Sequence, residues 1–88
     1  VNPKKGILEK KDKILELTKN EMIIFTYLLN NRGKIVKRDD LMTDLWNNNE
    51  FINDNALTVN ISRLRSKLQD FGLLNKIETR KGQGYKLL

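Results

Sequence analysis

Apolar positions recur at helical spacing in three stretches of this chain. The clearest is Asn53 to Leu68, NDNALTVNISRLRSKL. At about 100° per residue, Leu57, Ile61, Leu64 and Leu68 fall within one narrow sector, the spacing of a helix lying on a core. Asn55, Val59, Ser62, Arg63 and Ser66 point the other way. Asn53 or Asp54 can cap the start, and the helix is expected to run towards Phe71 and stop at Gly72. An earlier helix is announced by Thr18, Lys19, Asn20, Glu21, an S/T-x-x-E capping box in which the Thr18 hydroxyl and the Glu21 carboxylate each satisfy the other residue's amide. Met22, Phe25, Leu28 and Leu29 supply its buried side, and Gly33 suits a left-handed position past its end. Between these two, Arg38 to Trp46 carries Leu41, Met42, Leu45 and Trp46 on an inner side. Asp39 and Asp40 occupy its first turn, where they favour the helix dipole; Lys37 is a poor N-cap for it.

The remaining segments alternate or are short. Gly6 to Lys10 and Lys13 to Leu17, joined by the turn-like Lys11 and Asp12, predict a hairpin that must lie against the helices, because an isolated two-stranded hairpin is only marginally stable. Val1 to Lys5 has no periodicity. Lys34 to Lys37, centred on Ile35 and Val36, reads as a short strand or extended linker. Asn47 to Asn53 is a polar loop whose Phe51 and Ile52 are expected to tuck into the core, and Leu73 and Leu74 return the chain there. Ile77, Glu78, Thr79 and Tyr85, Lys86, Leu87 predict two strands around Arg80, Lys81, Gly82, Gln83, Gly84, whose glycines permit a tight turn. The sum is an α+β fold of one domain over residues 1–88: a winged helix-turn-helix with short N-terminal β-strands, three helices and a C-terminal β-hairpin wing. Its helix-to-helix turn, 47–53, is longer than the three or four residues usual for the plain motif.

Charge gives this pattern a direction. The 88 residues hold 17 Lys plus Arg against 11 acids, a net charge of +6 with a sequence pI near 9.7, which favours polyanionic partners. Arg63 to Lys86 is the most basic part and contains only two acids, Asp70 and Glu78. On the outward face of the 53–68 helix there is no carboxylate to repel phosphate, while hydroxyl, amide and guanidinium groups there can read base edges. Taken alone, such a face is ordinarily just a solvated one, and a Gly-Gln-Gly tip is ordinarily just a turn. Side by side, they make a recognition helix and a wing. With no cysteine and no histidine, disulfides, thiolate metal sites and histidine-dependent catalysis fall away. The longest apolar run, Met22 to Phe25, cannot span a bilayer, so a soluble, cytoplasmic protein is expected, with neither metal nor cofactor.

The residues also resemble a known family. L-T-K-N-E at 17–21, G-K-I-V-K-R-D-D-L at 33–41, Trp46, L-T-V-N-I-S-R-L-R-S-K-L at 57–68 and I-E-T-R-K-G-Q-G-Y at 77–85 are similar to the carboxyl-terminal effector domain of OmpR/PhoB-type response regulators. This resemblance covers about Gly6 to Leu88 and implies control of transcription by a phosphorylated receiver domain that this chain does not contain. It implies the third helix in the major groove, with base reading by Val59, Asn60, Ser62 and Arg63. Backbone contacts would come from Asn55, Arg65, Ser66, Lys67, Thr79 and Gly82, with Lys81 in the minor groove. It further implies tandem binding to direct repeats of double-stranded DNA, and it places Asn47 to Asn53 in the loop that some members use to engage RNA polymerase. Asn55 stands where the family commonly has Arg, Lys37 where Ser or Thr usually caps helix two, and Lys81 where Arg is frequent. The first strands are shorter than the family's, as in a trimmed chain. Trp46, Phe51 and the D-N-x-L-T-V-N run at 54–60 look most like regulators that sense bacitracin and cationic antimicrobial peptides in Gram-positive bacteria.

Two other function classes compete with DNA binding. A protein-interaction module would use the same fold with incidental charge. An enzyme would need acids and bases drawn from scattered Asp, Glu and Lys with no metal spacing, Walker loop or nucleophile–base pair, and the lone G-x-G at Gly82 to Gly84 is too weak to indicate nucleotide binding.

Overall fold

The computed structural model describes residues 7–10, 13–72 and 76–88. Val1 to Lys5, the Lys11–Asp12 turn and the return through Leu73 and Leu74 lie outside them. Strands β1 (Ile7–Lys10) and β2 (Lys13–Glu16) pair antiparallel, Ile7 opposite Glu16 and Lys10 opposite Lys13, as the hairpin reading requires. Helix α1 (Lys19–Asn30) follows, then the two-residue strand β3 (Ile35–Val36), helix α2 (Arg38–Asn47), helix α3 (Asp54–Asp70) and strands β4 (Ile77–Arg80) and β5 (Gly84–Leu87). A second antiparallel sheet has the order β3-β5-β4. The fold is the expected winged helix-turn-helix.

Local chemistry sets the helix ends. The Thr18 amide donates to Glu21 Oε1 at 2.8 Å and the Glu21 amide to Thr18 Oγ1 at 3.2 Å, completing the capping box, a device worth about 1 kcal/mol. Past Asn31, Gly33 turns into the left-handed region at φ 83° and its amide donates to the Leu87 carbonyl at 2.9 Å. That bond seats the α1 exit on the wing sheet. Helix α2 begins at Lys37 without any side-chain cap, as its sequence leads one to expect. Asn53 caps α3 by accepting the Ala56 amide at 2.7 Å, and Gly72, at φ 96°, lies just past its end.

The core is built from one face of each helix and the inner side of the second sheet. Met22, Ile24, Phe25 and Leu28 of α1 meet Leu41, Met42 and Leu45 of α2 and Leu57, Ile61, Leu64 and Leu68 of α3, and Val36, Ile77, Tyr85 and Leu87 close it. Leu29, expected in the core, is only partly buried, and Ile24 holds the central place instead. Trp46 and Phe51 also depart from expectation, being 48% and 77% exposed. Trp46 lies one step around α2 from the buried Leu45, on the rim, where its indole N–H reaches the Ile52 carbonyl at 3.4 Å. In the link to α3, Ile52 packs on the core and its neighbour Phe51 is left facing solvent.

The wing turns at Lys81, Gly82 and Gln83, with the Gln83 amide donating to the Arg80 carbonyl at 2.9 Å. Gly84, at φ 141°, lies where the wing crosses β3, and a Cβ there would sit 2.0 Å from the Val36 carbonyl oxygen. Gly82, at φ 75°, has nothing within 4 Å of the same position. Gly84→Ala should therefore cost clearly more than the roughly 1–2 kcal/mol of a left-handed alanine alone, and Gly82→Ala should cost about that amount. Urea unfolding of the two variants checks the order, and equal losses would mean that β3 and β5 do not approach so closely.

Candidate nucleic-acid interface

Burial of Leu57, Ile61, Leu64 and Leu68 fixes the rotation of α3 about its axis. Everything on the opposite face follows from that rotation. Asn55, Val59, Ser62, Arg63 and Ser66 are exposed, Val59 at 44%. Asn60 lies at the edge of this face, half-buried, and donates one side-chain amide proton to the Ala56 carbonyl at 2.8 Å. Ser62, Arg63, Ser66 and Lys67 line a shallow depression along the helix.

The wing stands beside this face, and two arginines fasten it there. Arg65 donates from Nη2 to Thr79 Oγ1 of β4 at 2.6 Å, while its Nε is buried with no partner among the described residues. Two residues that sequence resemblance assigns to phosphate contact are thus already joined. Because the partner is a neutral hydroxyl, Arg65 keeps its full charge. At the tip, Lys81 and Gly82 are exposed. Glu78 and Arg80 pair at 2.7 Å on the wing surface, an exposed pair of small energetic weight.

Arg38, the first residue of α2, makes a fastening that the sequence did not reveal. Its Nη2 donates to the Asp54 carbonyl at 2.8 Å and to Thr58 Oγ1 at 3.0 Å, and its Nε to Asp54 Oδ1 at 3.3 Å. Its Nη1 donates to the Tyr85 hydroxyl of β5, with the guanidinium carbon 5.7 Å from the Tyr85 ring centroid. A planar fork of donors suits such many-sided contact better than an ammonium would. The start of α2, the start of α3 and the wing are held through one side chain. A groove runs between the start of α2 and the wing, walled by Lys37 and Arg38 on one side and by Thr79 to Tyr85 on the other.

A second unforeseen contact lies at the far end of α3. Lys67 Nζ meets Glu21 Oε1 at 2.6 Å, and the Glu21 side chain is 1% exposed. The capping-box carboxylate of α1 therefore also anchors the recognition helix. Lys67, placed by resemblance on the DNA-backbone flank, is engaged with protein. The only sequence signal was the capping box, which explains the position of Glu21 but not its burial. Burial pushes the Glu21 carboxyl up; hydrogen bonds from Lys67 and Thr18, with the attraction of the Lys67 charge, outweigh it and hold the carboxyl below its ordinary range. Asp44 on α2 is pushed the other way by burial.

Among the described residues no group of three or more His, Cys, Asp or Glu could hold a metal ion, and no helix is long and apolar enough to cross a membrane.

The sequence pattern of the family described as transcriptional regulatory protein, C terminal, matches residues 11–87. The response regulator protein GraR of Staphylococcus haemolyticus is 46% identical over 85 residues, covering 97% of this chain and 38% of its own length. The sensory transduction protein BceR of Bacillus subtilis is 52% identical over 71 residues, covering 81% of this chain and 31% of its own. The chain thus spans well under half the length of these relatives. The solved C-terminal domain of the nisin resistance regulator NsrR, a lantibiotic response regulator, superposes with a TM-score of 0.87 at 37% identity, covering 94% of this chain and 84% of that one.

The Glu21 pairing sets a pH dependence. A carboxyl held low in the folded state contributes stability above the unfolded carboxylate range, and loses it as pH falls through the lowered folded value. Denaturant unfolding from pH 7 down to pH 3 should show a steeper loss for the native chain than for Glu21→Gln. Parallel curves would mean that Glu21 is not held low.

Proposed function

The chain belongs to the family of carboxyl-terminal domains of OmpR/PhoB-type transcriptional regulatory proteins, and on that premise we propose that it binds double-stranded DNA sequence-specifically, with α3 in the major groove and the wing at the minor groove. The observation that carries this reading is the exposed face of α3 from Asn55 to Ser66, which carries no carboxylate and is joined through Arg65 and Thr79 to a basic wing. One rigid surface then offers side chains to base edges and cations to phosphate. Arg63 is the principal base reader, a guanidinium suited to the O6 and N7 edge of guanine. Val59 packs on a thymine methyl, and Asn60 and Ser62 flank them. Arg65, Thr79 and Gly82 take the phosphates, with Asn55 and Ser66 on the flanks of the same contact, and Lys81 enters the minor groove.

The remainder of the relatives' length is where a covalently linked receiver domain would lie, making this chain the output end of a cytoplasmic two-component regulator. Its likeness to GraR, BceR and the nisin resistance regulator supports a signal of the antimicrobial-peptide class. The loop 47–53 is the surface for RNA polymerase, and the exposed Phe51 and Trp46 give it an apolar contact. Two copies bind head to tail on direct repeats about one helical turn (~10 bp) apart.

Selection of bound sites from random duplex DNA tests the reading as a whole. It should return a directly repeated motif; no enrichment would overturn DNA reading, and a single palindrome would overturn the tandem arrangement alone. Arg63→Ala should cost roughly 1–3 kcal/mol on the selected site and relax specificity there. Arg65→Ala should weaken all sequences alike and flatten the salt slope by about one unit. Salt titrations on specific and random duplexes separate the two roles, and an unchanged affinity ratio in Arg63→Ala would remove its reading role.

A further inference from the structure

The cations of α3 are not equivalent. Arg63 is exposed and Arg65 is bonded to a neutral hydroxyl, so both keep a full positive charge for a polyanion. Lys67 borders the same depression as Ser62, Arg63 and Ser66, near enough to the proposed contact face to reach a phosphate, yet its ammonium lies 2.6 Å from Glu21.

We propose that Glu21 limits the sequence-independent affinity of this domain for DNA: it holds Lys67 back from the phosphate backbone and so keeps one cation out of that part of binding. The inference rests on the DNA-binding reading above. Its physical basis is an unequal competition. Glu21 is fully buried, and its Oε1 also accepts the Thr18 amide at 2.8 Å, so the carboxylate cannot follow Lys67 outward. For Lys67 to swing to a phosphate, a buried charge must be left without its cation, a heavy penalty, whereas a single exposed phosphate contact yields only the release of about one counterion. The lysine stays on the protein. Phosphate contacts raise affinity for every sequence equally, so withholding one lowers binding to all duplexes alike, random DNA included, and leaves discrimination by the base readers unchanged.

The test is a salt titration of binding to a random-sequence duplex. Glu21→Gln keeps an oxygen for the Thr18 amide but drops the charge. It should steepen the slope of log K against log salt by about 0.9 and tighten random-duplex binding, by roughly three- to four-fold at 50 mM relative to 200 mM salt. Adding Lys67→Gln to that variant should restore the native slope. Lys67→Gln alone should leave the slope unchanged. Circular dichroism confirms that each variant is folded, and should Glu21→Gln not fold, the Lys67→Gln slope decides. A native slope in folded Glu21→Gln, or a slope reduced by about one in Lys67→Gln, overturns the inference. Failure of the native chain to bind any duplex at low salt would instead strike the DNA-binding reading and this inference with it.

Discussion

A wing and a recognition helix are useful only at a fixed relative position, and here that position depends on the guanidinium of Arg38. It bonds α3 through Asp54 and Thr58 and β5 through Tyr85, while the backbone of its own helix follows directly on β3. Apolar packing alone would tolerate small rotations of α3, since hydrophobic contact is not directional. A planar fork of hydrogen bonds is directional, so it defines the angle that burial leaves loose. At the other end of α3, Lys67 and Glu21 do the same work against α1. The helix is thus pinned near both termini, and between the pins Val59, Ser62 and Arg63 face outward.

The pins differ in chemistry. The Arg38 cluster is partly exposed and built mostly from neutral acceptors, so its strength comes from the number and geometry of its bonds. The Glu21–Lys67 pair is one contact with a carboxylate cut off from solvent, where losing either partner leaves an uncompensated charge. Acid weakens the second pin by protonating Glu21, and salt screens the first only modestly because few of its bonds join full charges. The wing adds a third constraint of another kind: Gly84 lets β5 pass against the Val36 carbonyl closer than any side chain would permit.

Much of this frame was legible along the chain. The Thr18–Glu21 box, the Asn53 cap and the apolar stripe of α3 are determined by residues three or four positions apart, and all three stand in the structure as expected. The Arg38 cluster spans separations of 16 to 47 residues, and the Lys67–Glu21 pair spans 46. No local pattern marks them, because they arise only once the helices are packed. Trp46 and Phe51 were misplaced for a related reason. Apolar character says that a residue can be buried, but at the rim of a small core only the neighbours decide whether anything covers it. For the outward face, the sequence pattern supplied which residues point away from the core, and the structure added that Asn60 and Lys67 are partly committed elsewhere while Arg63 has no side-chain hydrogen bond or ion pair among the described residues.

Asn55, Val59, Ser62, Arg63 and Ser66 share one property: none of them belongs to the hydrophobic core or to the hydrogen-bonded fastenings among the described residues. Substitutions there leave the frame standing. Given the base-reading role proposed for Val59, Ser62 and Arg63, base preference can drift one side chain at a time while the scaffold that presents those side chains is inherited intact. Descendants of a single ancestor can come to address different promoters without passing through an unfolded form.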